Sequence, residues 1–345
     1  MIDHRRSEME QLSIHYVGNN GNGEEMKLSE APFEFKDERI KDLLMHYFLT
    51  PFKSGIYFHL KKTHHDIYGL IEDFFKYKTN MHSLSKRIAS RLFDASVHPK
   101  IHGGEFYMAY FKDMVVDGEL CDAIGIFKTE TRENFLRISE GIDKFDVESD
   151  KGINLNKLDK GALIFNTEKE KGYKVSMIDT NSKSPMISLY WQEDFLHLVP
   201  REDSYFHTGH FIEAAKGFCE EVLTEENNVP RTQQMAILNK SINFLKGRDK
   251  FTMKEFETEV MPQPKVQKEF KKYLSEYVEA TNIKAQEEFE VSKTAVDKNK
   301  KYLRGIIKLD HNFHIYVHGM HELLEKCFDE EKGMKYYKVY FENEE

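Results

Sequence analysis

The sequence predicts an α+β protein: N-terminal helices packed on a mostly antiparallel sheet over residues 1–200, then a helix-rich C-terminal domain, 201–345, with a small terminal sheet. Three observations carry that expectation. Apolar residues recur at helical spacing in several segments before residue 96. From Gly104 the period shortens to two, the spacing of strands. Beyond Pro200 the helical period returns, and short alternating runs reappear only after Phe289.

Taken in order, residues 11–17 alternate like a strand, and Gly18 to Glu25 is a Gly- and Asn-rich loop. Asp37 is placed to cap a helix through about Phe48, with Ile40, Leu43, Leu44 and Tyr47 on one face. Two further helices are expected near 67–78 and 82–95, the second with Leu84, Ile88, Ala89 and Leu92 on one stripe. Strands at 104–116 and 119–128 flank Val116-Asp117-Gly118-Glu119, a two-residue hairpin turn. Strands follow near 134–147, 161–166 and 173–179, and an element holding Trp191 and Phe195 closes this half. Helices are then expected near 206–224, 231–246, 252–260 and 265–281, with Pro230 at a helix start and Pro262 and Pro264 between the last two. The terminal region reads as strands at 304–309, 313–318 and 335–341, with a helix at 320–327 before the last.

A chain of 345 residues has length for two cores, and 40% hydrophobic with 13% aromatic residues excludes a mostly disordered protein. The three cysteines, Cys121, Cys219 and Cys327, form no CxxC pair, so no disulfide framework or zinc knuckle is indicated and a reducing cytoplasm is expected. The polar N-terminus leads into no apolar core of a signal peptide, and no apolar run reaches the ~20 residues of a membrane span, so no membrane association is expected.

Catalytic patterns are weak. The Gly18–Gly23 stretch has no following Lys-Ser/Thr, so it is not a phosphate-binding Walker loop. No Gly-x-Ser-x-Gly elbow is present, and Cys219 lies on the apolar side of an expected helix, as a structural thiol would. The histidines at 311, 314, 318 and 321 are the densest cluster and have the ligand chemistry of a transition-metal site. On a strand, however, His314 and His318 lie ~13 Å apart, too far to share a metal unaided, and His321-Glu322 does not complete HExxH. A half-exposed strand face is the preferred reading; neither a metal nor a cofactor is expected.

Charge is more informative. The net charge of −9 weighs against a generic nucleic-acid binder, but local patches matter more than the total. Residues 231–254 carry Arg231, Lys240, Lys246, Arg248, Lys250 and Lys254 against Asp249 alone. Residues 291–308 carry Lys293, Lys298, Lys300, Lys301, Arg304 and Lys308 against Asp297 alone. Lys151, Lys157 and Lys160 form a smaller group around Asp159. Such segments can follow a phosphate backbone; the alternative is a solvated surface offset by acids elsewhere.

Five phrases bear on that choice: His15-Tyr16-Val17-Gly18-Asn19; Gly152 to Ala162, reading GINLNKLDKGA; Tyr190-Trp191-Gln192-Glu193-Asp194-Phe195-Leu196; Ile307 to Ile315, reading IKLDHNFHI; and Gly333 to Phe341, reading GMKYYKVYF. In content and order they resemble the bacterial nucleoid-associated protein family of the NdpA type, over about residues 10–341. The resemblance implies a cytoplasmic protein of the nucleoid, with DNA as partner, no cofactor and no catalytic residues. It supplies no binding motif, so the candidate residues come from charge: Arg231, Lys240, Lys246, Arg248, Lys298, Lys300, Lys301 and Arg304, then Lys157 and Lys160. The expected function is non-enzymatic association with DNA, double-stranded rather than single-stranded, through phosphate contacts without strong sequence preference. The alternatives are an acidic module recruited by a basic DNA-bound protein and a metal-dependent enzyme built on His311 to His321.

Overall fold

The computed structural model describes residues 2–53, 55–62, 65–78, 80–180, 189–224, 229, 231–281, 283–299, 305–309, 313–317 and 323–343. The chain divides into two units, Met1–Arg201 and Glu202–Glu345.

In the first unit the elements follow as β1 (Ile2–Asp3), β2 (Glu8–Val17), β3 (Met26–Lys27), α1 (Glu38–Leu49), β4 (Phe58–Leu60), α2 (His65–Tyr77), α3 (Met81–Ala95), β5 (Gly104–Val116), β6 (Glu119–Thr129), β7 (Glu133–Glu140), β8 (Phe145–Gly152), β9 (Lys160–Phe165), β10 (Lys174–Asp179) and β11 (Leu198–Pro200). One antiparallel sheet runs β11-β4-β10-β9-β6-β5-β2-β3, with β1 also paired to β5. Asp37 caps α1 as expected, its side chain accepting from the Arg39 N–H. Asp117 and Gly118 take φ of 51° and 87°, the pair of positive values a tight hairpin between β5 and β6 requires.

Both faces of this sheet are covered. Phe106, Met108 and Tyr110 of β5 join the core formed with α2, α3 and Trp191. Tyr107, Ala109 and Phe111 face the opposite core, with Tyr47 and Phe48 of α1. A strand buried on both sides needs apolar residues at successive positions, hence the run Phe-Tyr-Met-Ala-Tyr-Phe at 106–111. Trp191 lies in a single π-helical turn, Tyr190–Phe195, and is fully buried against Phe195.

One expectation here needs correction. The single strand near 134–147 is a hairpin, β7 with β8, outside the main sheet. Its side chains are exposed along both strands, and Leu136, Ile138, Phe145 and Val147 all lie on one face of it. Alternation in sequence signalled strand but not that the chain reverses at Gly141.

The second unit contains α4 (Ser204–Glu221), α5 (Arg231–Lys246), β12 (Lys250–Thr252), α6 (Met253–Val260), α7 (Pro264–Thr281), β13 (Glu288–Glu290) and α8 (Lys293–Asn299). The ribbons β14 (Gly305–Leu309) with β15 (Phe313–Val317) and β16 (Leu324–Asp329) with β17 (Met334–Val339) follow. Its core is aromatic: Phe211, Phe218, Phe244, Phe251, Phe256, Phe270 and Phe289 are buried together. Pro264 opens α7, a position where its missing N–H costs nothing. The helix expected at 320–327 is corrected: Leu324–Asp329 is a strand paired with Met334–Val339, and 320–322 lie outside the described residues. Tertiary pairing overrode a local helical spacing too short to nucleate a helix by itself. Strand β13 and helix α8 were also missed, because both are short and neither carries a full period of apolar residues.

Candidate nucleic-acid interface

Helix α5 buries Ile237, Ile242, Phe244 and Leu245 and so turns Lys240 and Lys246 to solvent. Neither lysine has an acidic partner among the described residues. Arg248, just beyond the helix, is differently placed. Its guanidinium stacks 3.9 Å from the centre of the Phe244 ring and pairs with Glu259 of α6 at 2.6 Å. That arrangement holds α5 to α6 and leaves Arg248 less free for a phosphate than its sequence position suggests. The backbone of Arg231 opens the same helix, and its side chain lies outside the described residues.

The two basic segments meet at one point. Lys293, at the start of α8, donates to the carbonyl oxygens of Lys246 (3.2 Å) and Arg248 at the end of α5. A cation on the final carbonyls of a helix satisfies orphan acceptors and the negative end of its dipole. Acids converge there too: Lys293 pairs with Asp249 at 3.2 Å, and Lys250 with Glu288. The local excess of positive charge read along the sequence is therefore partly cancelled in space. Lys298 lies in the last turn of α8, its ammonium 5.7 Å from the Tyr205 ring centre, where desolvation lowers its pKa. Lys300, Lys301 and Arg304 lie outside the described residues.

In the first unit Lys157 is exposed in the loop before β9. Lys160 is not a surface residue, and its place among the phosphate contacts is corrected. It is 1% exposed, pairs with Asp179 at 2.8 Å and lies 5.3 Å from the Tyr190 ring centre. Across the ladder it faces Lys128, also buried, which pairs with Glu130 at 3.2 Å. Asp159, one residue before Lys160, accepts the N–H groups of Glu130 and Thr131 at 2.6 and 2.7 Å. Lys160 belongs to a buried ionic network that ties β6, β9 and β10 together, and a charged residue in such a network cannot reach solvent without leaving its partner unpaired.

Charge counting along the chain missed α7. Lys265, Lys268, Lys271 and Lys272 are all exposed in the first half of that helix. They were overlooked because Glu269, Glu276 and Glu279 lower the overall charge of the segment. Reading the helix by face would have found them: Val266, Phe270 and Leu274 form the buried stripe, and Lys265, Lys268 and Lys272 lie on the opposite side. Lys240 lines a groove with Pro262 and Gln263 of the α6–α7 turn, and Lys265 and Lys272 line a neighbouring groove that shares Gln263.

Other chemistry finds little support. Burial pushes the thiols of Cys121 and Cys219 up to about 12, far from a nucleophile's range. His314 is exposed on β15, its ring steeply tilted against that of Tyr316, and His311, His318 and His321 lie outside the described residues. Among the described residues no three His, Cys, Asp or Glu side chains are grouped to hold a metal, and no helix is long and apolar enough to cross a membrane.

Comparison with known proteins agrees with the five phrases. The model of a family described as "Nucleoid-associated protein YejK" matches residues 13–337. No curated protein matches the chain.

Proposed function

Because the chain belongs to the YejK family of nucleoid-associated proteins, we propose that it associates directly with double-stranded DNA through phosphate contacts, without catalysis and without strong sequence preference. The observation that carries this reading is the set of lysines on the helical unit that are exposed and lack acidic partners among the described residues, Lys240 and Lys246 above all. Lys298 and Lys157 supplement them, and Arg231, Lys300, Lys301 and Arg304 remain candidates on their sequence positions. Point-charge lysines suit sequence-tolerant contact, because an ammonium neutralises a phosphate without the bidentate geometry that reads a base.

Titration of the pure protein against a short duplex and a single strand at several salt concentrations tests the proposal. Direct binding gives a falling line of log affinity against log salt, its slope close to −0.9 for each phosphate neutralised on duplex DNA. Replacing Lys240, Lys246 and Lys298 by Ala flattens that line. Absence of binding at low salt refutes direct contact.

The net charge of −9 and the acids that sit on Arg248, Lys250 and Lys293 support a second reading, recruitment by a basic DNA-bound protein. A pull-down whose partners survive nuclease treatment favours it; loss of every partner with nuclease refutes it.

A further inference from the structure

We propose that α6, the turn Met261-Pro262-Gln263 and α7 form a helix-turn-helix that docks on duplex DNA, with α7 entering the major groove. The inference rests on the DNA reading above and gives it a specific surface, one that charge counting along the sequence did not select.

Topology is the first support. An eight-residue helix, a three-residue turn and an eighteen-residue helix follow one another. That is the layout of the helix-turn-helix, in which the second helix is presented to the groove. Strands β12 and β13 flank the pair and close on each other through Lys250↔Glu290, Phe251↔Phe289 and Thr252↔Glu288. Helix α5 packs behind it, with Phe244 and Phe256 ring centres 5.5 Å apart.

Rigidity is the second. Gln267 of α7 donates to the Glu257 and Met261 carbonyl oxygens at 3.1 and 2.9 Å, capping the end of α6 from within the next helix. Lys271 pairs with Glu257 at 2.9 Å, and Phe256 and Phe270 meet at 5.7 Å between ring centres. Val260, Met261, Val266 and Phe270 are buried in one cluster. A groove-binding helix must be held in a fixed orientation, and every one of these interactions fixes α7 against α6.

Polarity is the third. Lys265, Lys268 and Lys272 recur at i, i+3 and i+7, opposite the buried stripe. Lys272 also reaches Glu276 at 3.6 Å, an exposed i,i+4 pair that is weak and easily exchanged for a phosphate. The second half of α7 carries Glu276 and Glu279 without a lysine. The lysines thus occupy the dipole-positive first half of the outward ridge, the end offered to an anionic groove, while Glu276 and Glu279 continue the same ridge in its second half and confine the contact to the N-terminal half of the helix. The outward ridge has no Arg, Asn or Gln to pair with base edges. It is therefore a helix-turn-helix for holding a duplex, not for choosing its sequence.

The test compares the full-length protein with its Lys265→Ala, Lys268→Ala, Lys272→Ala triple variant on one duplex across a salt series. The expected result is a slope less steep by about 2 to 3, since each lysine removed leaves one phosphate un-neutralised, and at least tenfold weaker binding at low salt. A triple variant with the native slope, while replacement of Lys240 and Lys246 abolishes binding, overturns the helix-turn-helix and leaves DNA association standing. No binding by the native protein at low salt removes both. A second measurement needs no variant: acylation of lysines in the native protein, with and without duplex, read by mass spectrometry. Protection of Lys265, Lys268 and Lys272 with Lys284 still reactive is expected; equal reactivity of all four overturns the proposal.

Discussion

Acidification destabilises the first unit through His15, and the size of the effect follows from its surroundings. His15 lies on β2, 3% exposed. Its Nδ1 accepts the Ser29 N–H at 3.0 Å, which leaves the proton on Nε2 to be donated to Ser85 Oγ at 2.8 Å. Ser85 Oγ in turn donates to the His82 carbonyl oxygen at 2.7 Å. The His82 ring completes the arrangement, with Nε2 toward the Ser29 carbonyl oxygen and Nδ1 toward Ser13 Oγ. The set binds β2 to α3 with the His15 ring neutral. Burial, reinforced by His82 and Lys86, lowers the His15 pKa from 6.5 to about 4. The folded state refuses a proton that the unfolded chain accepts. Stability is therefore complete above pH 6.5 and falls as pH drops toward 4. At 1.36 kcal/mol per pKa unit the full loss is about 3 kcal/mol, and roughly 2 kcal/mol is gone by pH 5. The assay is urea unfolding of the full chain at pH 7.5 and pH 5, followed by the fluorescence of Trp191, which is fully buried in this unit and is the single tryptophan. The carboxylates with lowered pKa, Asp117 at about 2 and Glu168, lose their contribution below this window and do not confuse it. His4, whose pKa burial also lowers, contributes in both proteins, so the comparison with His15→Gln isolates His15. A His15→Gln variant that shows the same pH dependence as the native chain refutes the reasoning.

Three further predictions concern the same unit. Lys160→Ala costs about 3 kcal/mol, because Asp179 loses its ammonium in a buried site, whereas Lys157→Ala stays within about 0.5 kcal/mol; Trp191-detected urea midpoints separate the two. Gly172 has φ of 111° and a Cβ there would lie 2.1 Å from the Leu60 carbonyl oxygen, so Gly172→Ala costs about 2 kcal/mol or more by the same measurement. Leu136→Lys with Ile138→Lys alters side chains exposed by 68% and 66% that pack on no core, so thermal unfolding moves by no more than the equivalent of about 0.5 kcal/mol while solubility rises.

Three of the five phrases that identify the family, the first three in the chain, also build the fold. Leu158, Asp159 and Lys160 in the second phrase and Tyr190, Trp191, Phe195 and Leu196 in the third are all buried. Their spacing can be recognised in a sequence because each is fixed by a specific neighbour. An exposed lysine on a helix is fixed by nothing nearby, so the interface leaves a weak trace in the chain, and the lysines of α7 were hidden by acids that lie elsewhere on the same helix.

By itself the sequence determined the α+β class, the hairpin at Asp117-Gly118, the cap at Asp37, the extent of the longer helices and the family. These depend on neighbours within a few residues, or on runs long enough to show a period. Tertiary structure alone decided that Lys160 is buried on Asp179 while Lys157 is exposed, that 133–152 folds back as a separate ribbon, that 324–329 pairs as a strand, and that Lys293 and Asp249 meet at the end of α5. Each of these depends on which strand lies beside which, or on a partner brought from far along the chain, and a local pattern of residue types carries no record of that pairing.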